Sequence, residues 1–277
     1  MTRLSLLAGL IVLTTQTWAQ SGRPGAISAA QAQQLEDSLK ANPGDKTARS
    51  ALLNYYFGSA ELDAGKVIEA RRRHILWFIE NAPGDAAMGG SAATIDPSGH
   101  PIADSQGYKQ ASEAWKAQIA KKDVNAVVLG NAAYFFKLSD NAFTIDLLER
   151  AMKLEPSNEQ VAGFLGVEYA MAILGVTMVN KNGYPTDANP NLTDGPVAKK
   201  ARQALDSSKN VGMLARAGYI LSFQGSILRG AGKLRFDAAP LAESMLKRAA
   251  SLDPDNLEVA KLLEQHRQMQ AAISGKK

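Results

Sequence analysis

The chain has 277 residues, 45% of them hydrophobic and 21% charged, enough to bury a sizeable core and unlike the composition of a disordered or an integral membrane protein. Its formal charge of +4 comes from 31 Lys and Arg interleaved with 27 Asp and Glu, a mixture that makes a solvated surface and argues against a nucleic-acid binder, whose basic excess lies on one face. Cysteine is absent, which excludes disulfides, thiolate chemistry, a lipidated Cys anchor and Cys-ligated metals.

In chain order, Arg3, the apolar run over residues 4–13 and Thr17-Trp18-Ala19 before Gln20 have the form of a secretory signal over residues 1–19. The run is too short to cross a bilayer, so no stable membrane insertion is expected. The mature chain is expected to begin near Gln20 and to be periplasmic or secreted. Residues 20–27 read as a mobile leader, 28–273 as the folded body and 274–277 as a tail.

A first helix is predicted over 28–40, with Leu35 and Leu39 on one face. Asn42-Pro43-Gly44-Asp45 stops it, because Pro cannot continue a helix and Asp45 can cap the next one. The second helix is predicted to reach Leu62, burying Leu52, Leu53, Tyr56 and Ala60. After Asp63-Ala64-Gly65 a third carries Val67, Ile68, Ile75, Leu76, Phe78 and Ile79. The run Arg71-Arg72-Arg73-His74 in its middle reads as a wet face.

Residues 83–107 hold five Gly and three Pro with almost no large apolar residue, and are expected to form a long irregular loop. Helices are then predicted over 108–121 (Ala111, Trp115, Ile119), as a hairpin within 125–158, and over 159–179 (Val161, Leu165, Tyr169, Ile173). A second irregular insert is expected over 180–194, containing Asn182-Gly183. Four more helices follow, over 196–208, 211–229, 238–252 and 257–272. About ten helices with no alternating strand pattern make the expected fold class all-α.

Four stops share one form: Asn42-Pro43-Gly44-Asp45, Ala82-Pro83-Gly84-Asp85, Glu155-Pro156-Ser157-Asn158 and Asp253-Pro254-Asp255-Asn256. Around them the sequence resembles the tetratricopeptide repeat. Leu165-Gly166 with Tyr169 matches the pattern of its first helix, and Leu129-Gly130 with Tyr134 does so with the aromatic one place late. Ala242, Leu246, Ala249 and Pro254 match that of its second, as do Thr144, Leu148, Ala151 and Pro156 with Thr in place of the small Ala. The spacing is informative because small residues let helices approach while large ones fill the gaps between hairpins. The resemblance implies antiparallel helical hairpins stacked as a right-handed solenoid, interrupted by the two inserts.

Several near-matches to chemical motifs each miss a required residue. In 225–233 Ile227 stands where a phosphate loop needs its first Gly, and Leu234 where Ser or Thr would hold magnesium. Gly89-Gly90-Ser91-Ala92-Ala93 lacks the last Gly of a nucleophile elbow. The start of a calcium loop at Asp187-Ala188-Asn189-Pro190-Asn191 lacks its Gly and its bidentate Glu, and reads as a turn. Asn191-Leu192-Thr193 is formally a glycosylation sequon, but the short signal and composition look bacterial. His74, His100 and His266 have no second His one helical turn away, so no metal site is expected. His74 and His266 read as surface residues.

The tetratricopeptide resemblance implies that the first helix of each hairpin lines a concave groove, in which an Asn holds the backbone of an extended peptide. Asn131 stands at that position and Asn54 is its nearest earlier equivalent; Tyr134, Lys137 and Arg216 join them as candidate lining residues. The alternative kept open is that these amides are merely solvated or cap local backbone. The expected function is an exported adaptor or scaffold that binds a protein or peptide, with no cofactor and no catalysis. A second expectation is a small-molecule site or an enzyme roofed by the 83–107 loop, with Asp96, His100 and Asp104 as its candidate residues.

Overall fold

The computed structural model describes residues 27–58, 64–95, 104–179 and 185–275. These are almost all helical, and they fall into two compact units, Met1–Thr94 and Ile95–Lys277. The signal over 1–19, most of the 20–27 leader, and Ala60, Leu62, Asp63, Asn182 and Gly183 lie outside the described residues.

The first unit contains α1 (Ala29–Ala41), α2 (Lys46–Gly58) and α3 (Ala64–Asn81). Ser28 starts α1 with a capping box, its hydroxyl accepting from Gln31 N while the Gln31 side chain accepts from Ser28 N. Ala32 and Leu39 of α1 then pack on Ala48 and Leu52 of α2, with Leu35, Tyr55 and Tyr56 partly buried around them.

Two expectations fail in this unit. Residues 86–95 are not loop: Asp85 caps a 3₁₀ turn over Ala86–Gly89, a second follows at Ser91–Ala93, and Met88, Ala92, Ala93 and Thr94 are buried. Counting Gly and Pro hid a set of small apolar side chains that fits a tight turn. The basic run on α3 is not a wet face either, since Arg71 and His74 are both buried. Arg71 Nη2 donates to the carbonyls of Ala92 and Thr94 at 2.9 and 2.8 Å, so this charge clamps the 3₁₀ segment.

The second unit runs through α4 (Ser105–Ile119), α5 (Ala126–Phe136), α6 (Asn141–Leu154) and α7 (Glu159–Ile173), then α8 (Pro196–Ser207), α9 (Val211–Gly230), α10 (Ala239–Leu252) and α11 (Leu257–Ser274). From α4 to α7 each helix packs on the next in sequence; α7 packs on both α8 and α9, and α9 on α10 and α11. Glycines allow the closest approaches. A Cβ on Gly166 would run into the carbonyl of Met213, and one on Gly218 would stand 2.8 Å from Leu246 Cγ.

Between α7 and α8 the chain departs from the all-helical expectation. Gly175, with φ of 66°, ends α7 in the left-handed region, so the helix stops at Ile173 and does not reach Val179. The β-branched run that follows forms β1 (Val176–Val179), antiparallel to β2 (Pro185–Ala188) in a bulged two-stranded ribbon. A 3₁₀ turn at Pro190–Leu192 leads into α8.

The four Pro stops are one device. In each, the residue after the helix is followed by Pro, and the amide three residues on donates back to its carbonyl: Asp45 to Asn42, Asp85 to Ala82, Asn158 to Glu155 and Asn256 to Asp253, at 3.2, 3.0, 3.0 and 3.3 Å. Asn42, Glu155 and Asp253 adopt nearly the same backbone, φ −129°, −133° and −142° with ψ 78°, 78° and 82°, the extended conformation imposed by a following Pro. Asp45, Asn158 and Asn256 then cap α2, α7 and α11 through their side-chain oxygens.

Candidate functional site

Three helices of the second unit carry two pairs of half-buried aromatic residues. Tyr134 of α5 meets Phe164 of α7 with ring centroids 6.0 Å apart, and Tyr219 stacks on Phe223 within α9 at 6.0 Å and an interplanar angle of 2°. One turn apart on a helix, such pairs share a face. Cations border them. Lys137, the C-cap of α5, holds its Nζ 3.3 Å above the Tyr134 ring, and Arg216 pairs with Glu258 of α11 at 3.0 Å. The Arg216 stem passes Gly163 of α7, where a Cβ would stand 3.4 Å from Arg216 Cγ, in ordinary contact.

The predicted lining residues are therefore only partly brought together. Tyr134 and Lys137 lie together on α5, while Arg216 of α9 lies against α7 at Gly163. Asn131, on the same helix as Tyr134, is buried at 5% exposure. Asn54 is exposed in the first unit, where its amide donates to the Ser50 carbonyl at 2.9 Å. Of the loop candidates, Asp104 caps α4 by accepting from Gly107 N at 2.9 Å, while Asp96 and His100 lie outside the described residues.

Within reach of the Lys137 charge sits an acid that sequence reasoning passed over. Glu168 of α7 is 6% exposed, and Asn141, the first residue of α6, donates to its Oε2 at 2.7 Å. Burial pushes its pKa up to about 7, against the opposing pull of the Asn141 hydrogen bond and the Lys137 charge. At neutral pH this carboxyl is poised between donor and acceptor. Its place inside an otherwise apolar helical stretch was the only signal for it.

Both helical histidines expected at the surface are buried. His266 on α11 is 3% exposed and its Nδ1 stands 2.7 Å from the hydroxyl of Ser222 on α9. The pair has the composition of a nucleophile and base, but Ser222 is itself 3% exposed and the nearby Glu243 carboxylate is engaged by Lys247 at 2.8 Å. It ties α9 to α11. Burial holds the His266 imidazole below its usual range.

His74 is enclosed by charge in the first unit. Its Nδ1 lies 3.3 Å from Arg49 Nη1 and its Nε2 lies 3.2 Å from Glu36 Oε1. The same carboxylate oxygen accepts from Tyr56 at 2.9 Å and from Arg73 at 2.6 Å. Burial raises the Glu36 pKa, but the hydrogen bonds from His74 and Tyr56 and the Arg73 charge outweigh it, so it lies below the ordinary value.

The signal for this cluster was present as spacing. Glu36, Pro43 and Tyr56 stand to Glu149, Pro156 and Tyr169 at one offset: 149 − 36, 156 − 43 and 169 − 56 all equal 113. Tyr169 donates to Glu149 Oε1 at 2.8 Å, as Tyr56 does to Glu36.

Among the described residues no group of His, Asp and Glu is assembled to hold a metal ion, and no helix is long and apolar enough to cross a membrane. No protein-family model matches the chain, and no curated protein or solved structure matches it at a significant level.

Proposed function

We propose that the chain is an exported, tetratricopeptide-like adaptor whose helical hairpins stack as a right-handed solenoid and hold a protein or peptide segment, without chemistry of their own. The observation that carries this is the set of half-buried aromatic residues Tyr134, Phe164, Tyr219 and Phe223 on α5, α7 and α9, read here as one binding stripe along the first helices of successive hairpins. Aromatic side chains give large contact area for little lost conformational freedom, and they are the commonest anchors of binding energy.

Further support comes from the packing order, in which α9 lies against both α7 and α11 while α8 packs on α7 and α10 on α9. The 113-residue offset of Glu36, Pro43 and Tyr56 supports the same repeat. Lys137 and Arg216 are polar anchors at the border of the stripe. Asn131, being buried, contributes by shaping the helix behind Tyr134 and makes no direct contact with a ligand.

The test begins with affinity purification from the native envelope and identification of the partner by mass spectrometry. Replacing Tyr219 and Phe223 with Ala should weaken that partner's binding by roughly 30-fold or more, the weight of a typical aromatic anchor. Helical content should be unchanged. Unchanged affinity in a folded double variant would sink the assignment of the stripe.

A further inference from the structure

His74 cannot be protonated where it stands. Arg49 is a donor only, so the Nδ1 that faces its Nη1 at 3.3 Å must be the acceptor, and the imidazole carries its single proton on Nε2, pointing at Glu36. A second proton on Nδ1 would set two donors against each other inside a site where His74 is 0% exposed.

Arg49 is not free to retreat. Its Nε and Nη2 both donate to the Pro43 carbonyl, at 2.9 and 2.8 Å, and its guanidinium lies 4.2 Å above the Trp77 ring. Pro43 is the turn between α1 and α2. Moving Arg49 away from His74 therefore releases the hydrogen bonds that hold this turn. On the other side Glu36 is the α1 residue through which Tyr56, Arg73 and His74 grip that helix.

We propose that α1 is an acid-released latch, in which protonation of His74 expels Arg49 from the α1–α2 turn and frees α1 from α2 and α3. The groups that face His74 are Glu36 from α1, Arg49 and Tyr56 from α2 and Arg73 from α3 itself. Elsewhere in the unit Asp37 pairs with Lys40 at the surface and Asp85 with Lys46. With His74 neutral the set of Glu36, the buried Arg49 and the solvent-exposed Arg73 already carries one excess positive charge. Protonation doubles the excess, and Glu36 cannot neutralise three cations. Release exposes Leu52 and Ala48, which α1 covers through Ala32, Leu35 and Leu39. The device is independent of the aromatic stripe in the second unit.

Hydrogen exchange of the full chain at pH 7.5 and 5.5, expressed as protection relative to intrinsic exchange, tests this. If the open form titrates near 6.5, protection of the α1 amides should fall by about 1 + 10^(6.5 − 5.5), roughly tenfold, and by more than that of α2 and α3. In His74→Gln, whose amide nitrogen can still donate to Glu36, the α1 protection should be flat across this range. NMR of the wild-type imidazole should show one proton on Nε2 and a titration displaced below that of a free imidazole. Flat wild-type protection, a His74→Gln variant that keeps the tenfold fall, or a His74 that titrates near 6.5 would each overturn the latch. If His74→Gln does not fold, the wild-type titration alone decides.

Discussion

The phenol of Tyr169 on α7 donates to Oε1 of Glu149 on α6 at 2.8 Å, and Lys200 of α8 grips the other oxygen of that carboxylate at 2.7 Å. One side chain thus ties three consecutive helices. In the first unit Tyr56 and Arg73 grip Glu36 in the same order, from the second and third helices back to the first. Tyr169→Phe should lower stability by about 1.5 kcal/mol, the worth of a partly buried hydrogen bond to a charged acceptor. Lys200→Met, which removes an exposed ion pair, should cost under about 0.5 kcal/mol in the same urea titration.

Gly166→Ala should be among the most damaging single substitutions, because the added methyl meets the Met213 backbone and α7 must separate from α9. A loss of about 3 kcal/mol or more is expected. Gly230→Ala, at the end of α9 with nothing within 4 Å of the new methyl, should be neutral or stabilise by up to about 1 kcal/mol. Thermal unfolding of the two variants side by side reads both effects.

Glu168 makes stability depend on pH in a direction opposite to most carboxylates. Burial raises its pKa from 4.5 to about 7, so the folded state binds its proton more tightly than the unfolded chain does. Its contribution is fully present below pH 4.5 and is lost as pH rises through 7. Glu168→Gln, which keeps an oxygen for Asn141, should remove this dependence and raise stability at pH 8 by roughly 1–3 kcal/mol. Denaturant titrations at pH 5 and pH 8 would show it, and a variant as pH-dependent as the parent would disprove the raised pKa.

Ser222→Ala leaves the Nδ1 of a buried His266 without its partner and should cost about 1–3 kcal/mol. Ser226→Ala is the control. Its hydroxyl only returns to the Ser222 carbonyl of its own helix, and the change should be within about 0.5 kcal/mol. Equal losses in calorimetry would mean that the Ser222–His266 contact carries no weight.

The helices were legible because each obeys local rules. The 3.6-residue periodicity placed Leu52, Leu53, Trp115, Val161 and Leu165 on apolar faces, and all of them are buried. The Pro stops were legible because the turn, the extended residue before Pro and the Asp or Asn cap are all set within four residues. The β1–β2 ribbon was missed because four-residue strands are too short to show alternation. The 3₁₀ segment over 86–93 was missed because small residues mark loops and tight packing alike.

For the proposed stripe, sequence reasoning named Tyr134, Lys137 and Arg216 as candidates and did not name Phe164, Tyr219 and Phe223. It put Asn131 at the surface, where helix α5 in fact buries almost every side chain it has.

What the sequence determined by itself is the succession of helices and the chemistry of the turns between them, since hydrogen bonds along a helix and dihedral limits at Pro act over a few residues. What only the tertiary structure decided is which polar groups leave water. Arg71 and His74 sit in one run with the exposed Arg73, and nothing local separates them; α1, α2 and the 3₁₀ segment do so by covering one side of α3 and supplying Glu36, Arg49 and the Ala92 and Thr94 carbonyls as partners. Burial of a charge is stable only where such partners converge from distant parts of the chain, and that convergence belongs to the fold.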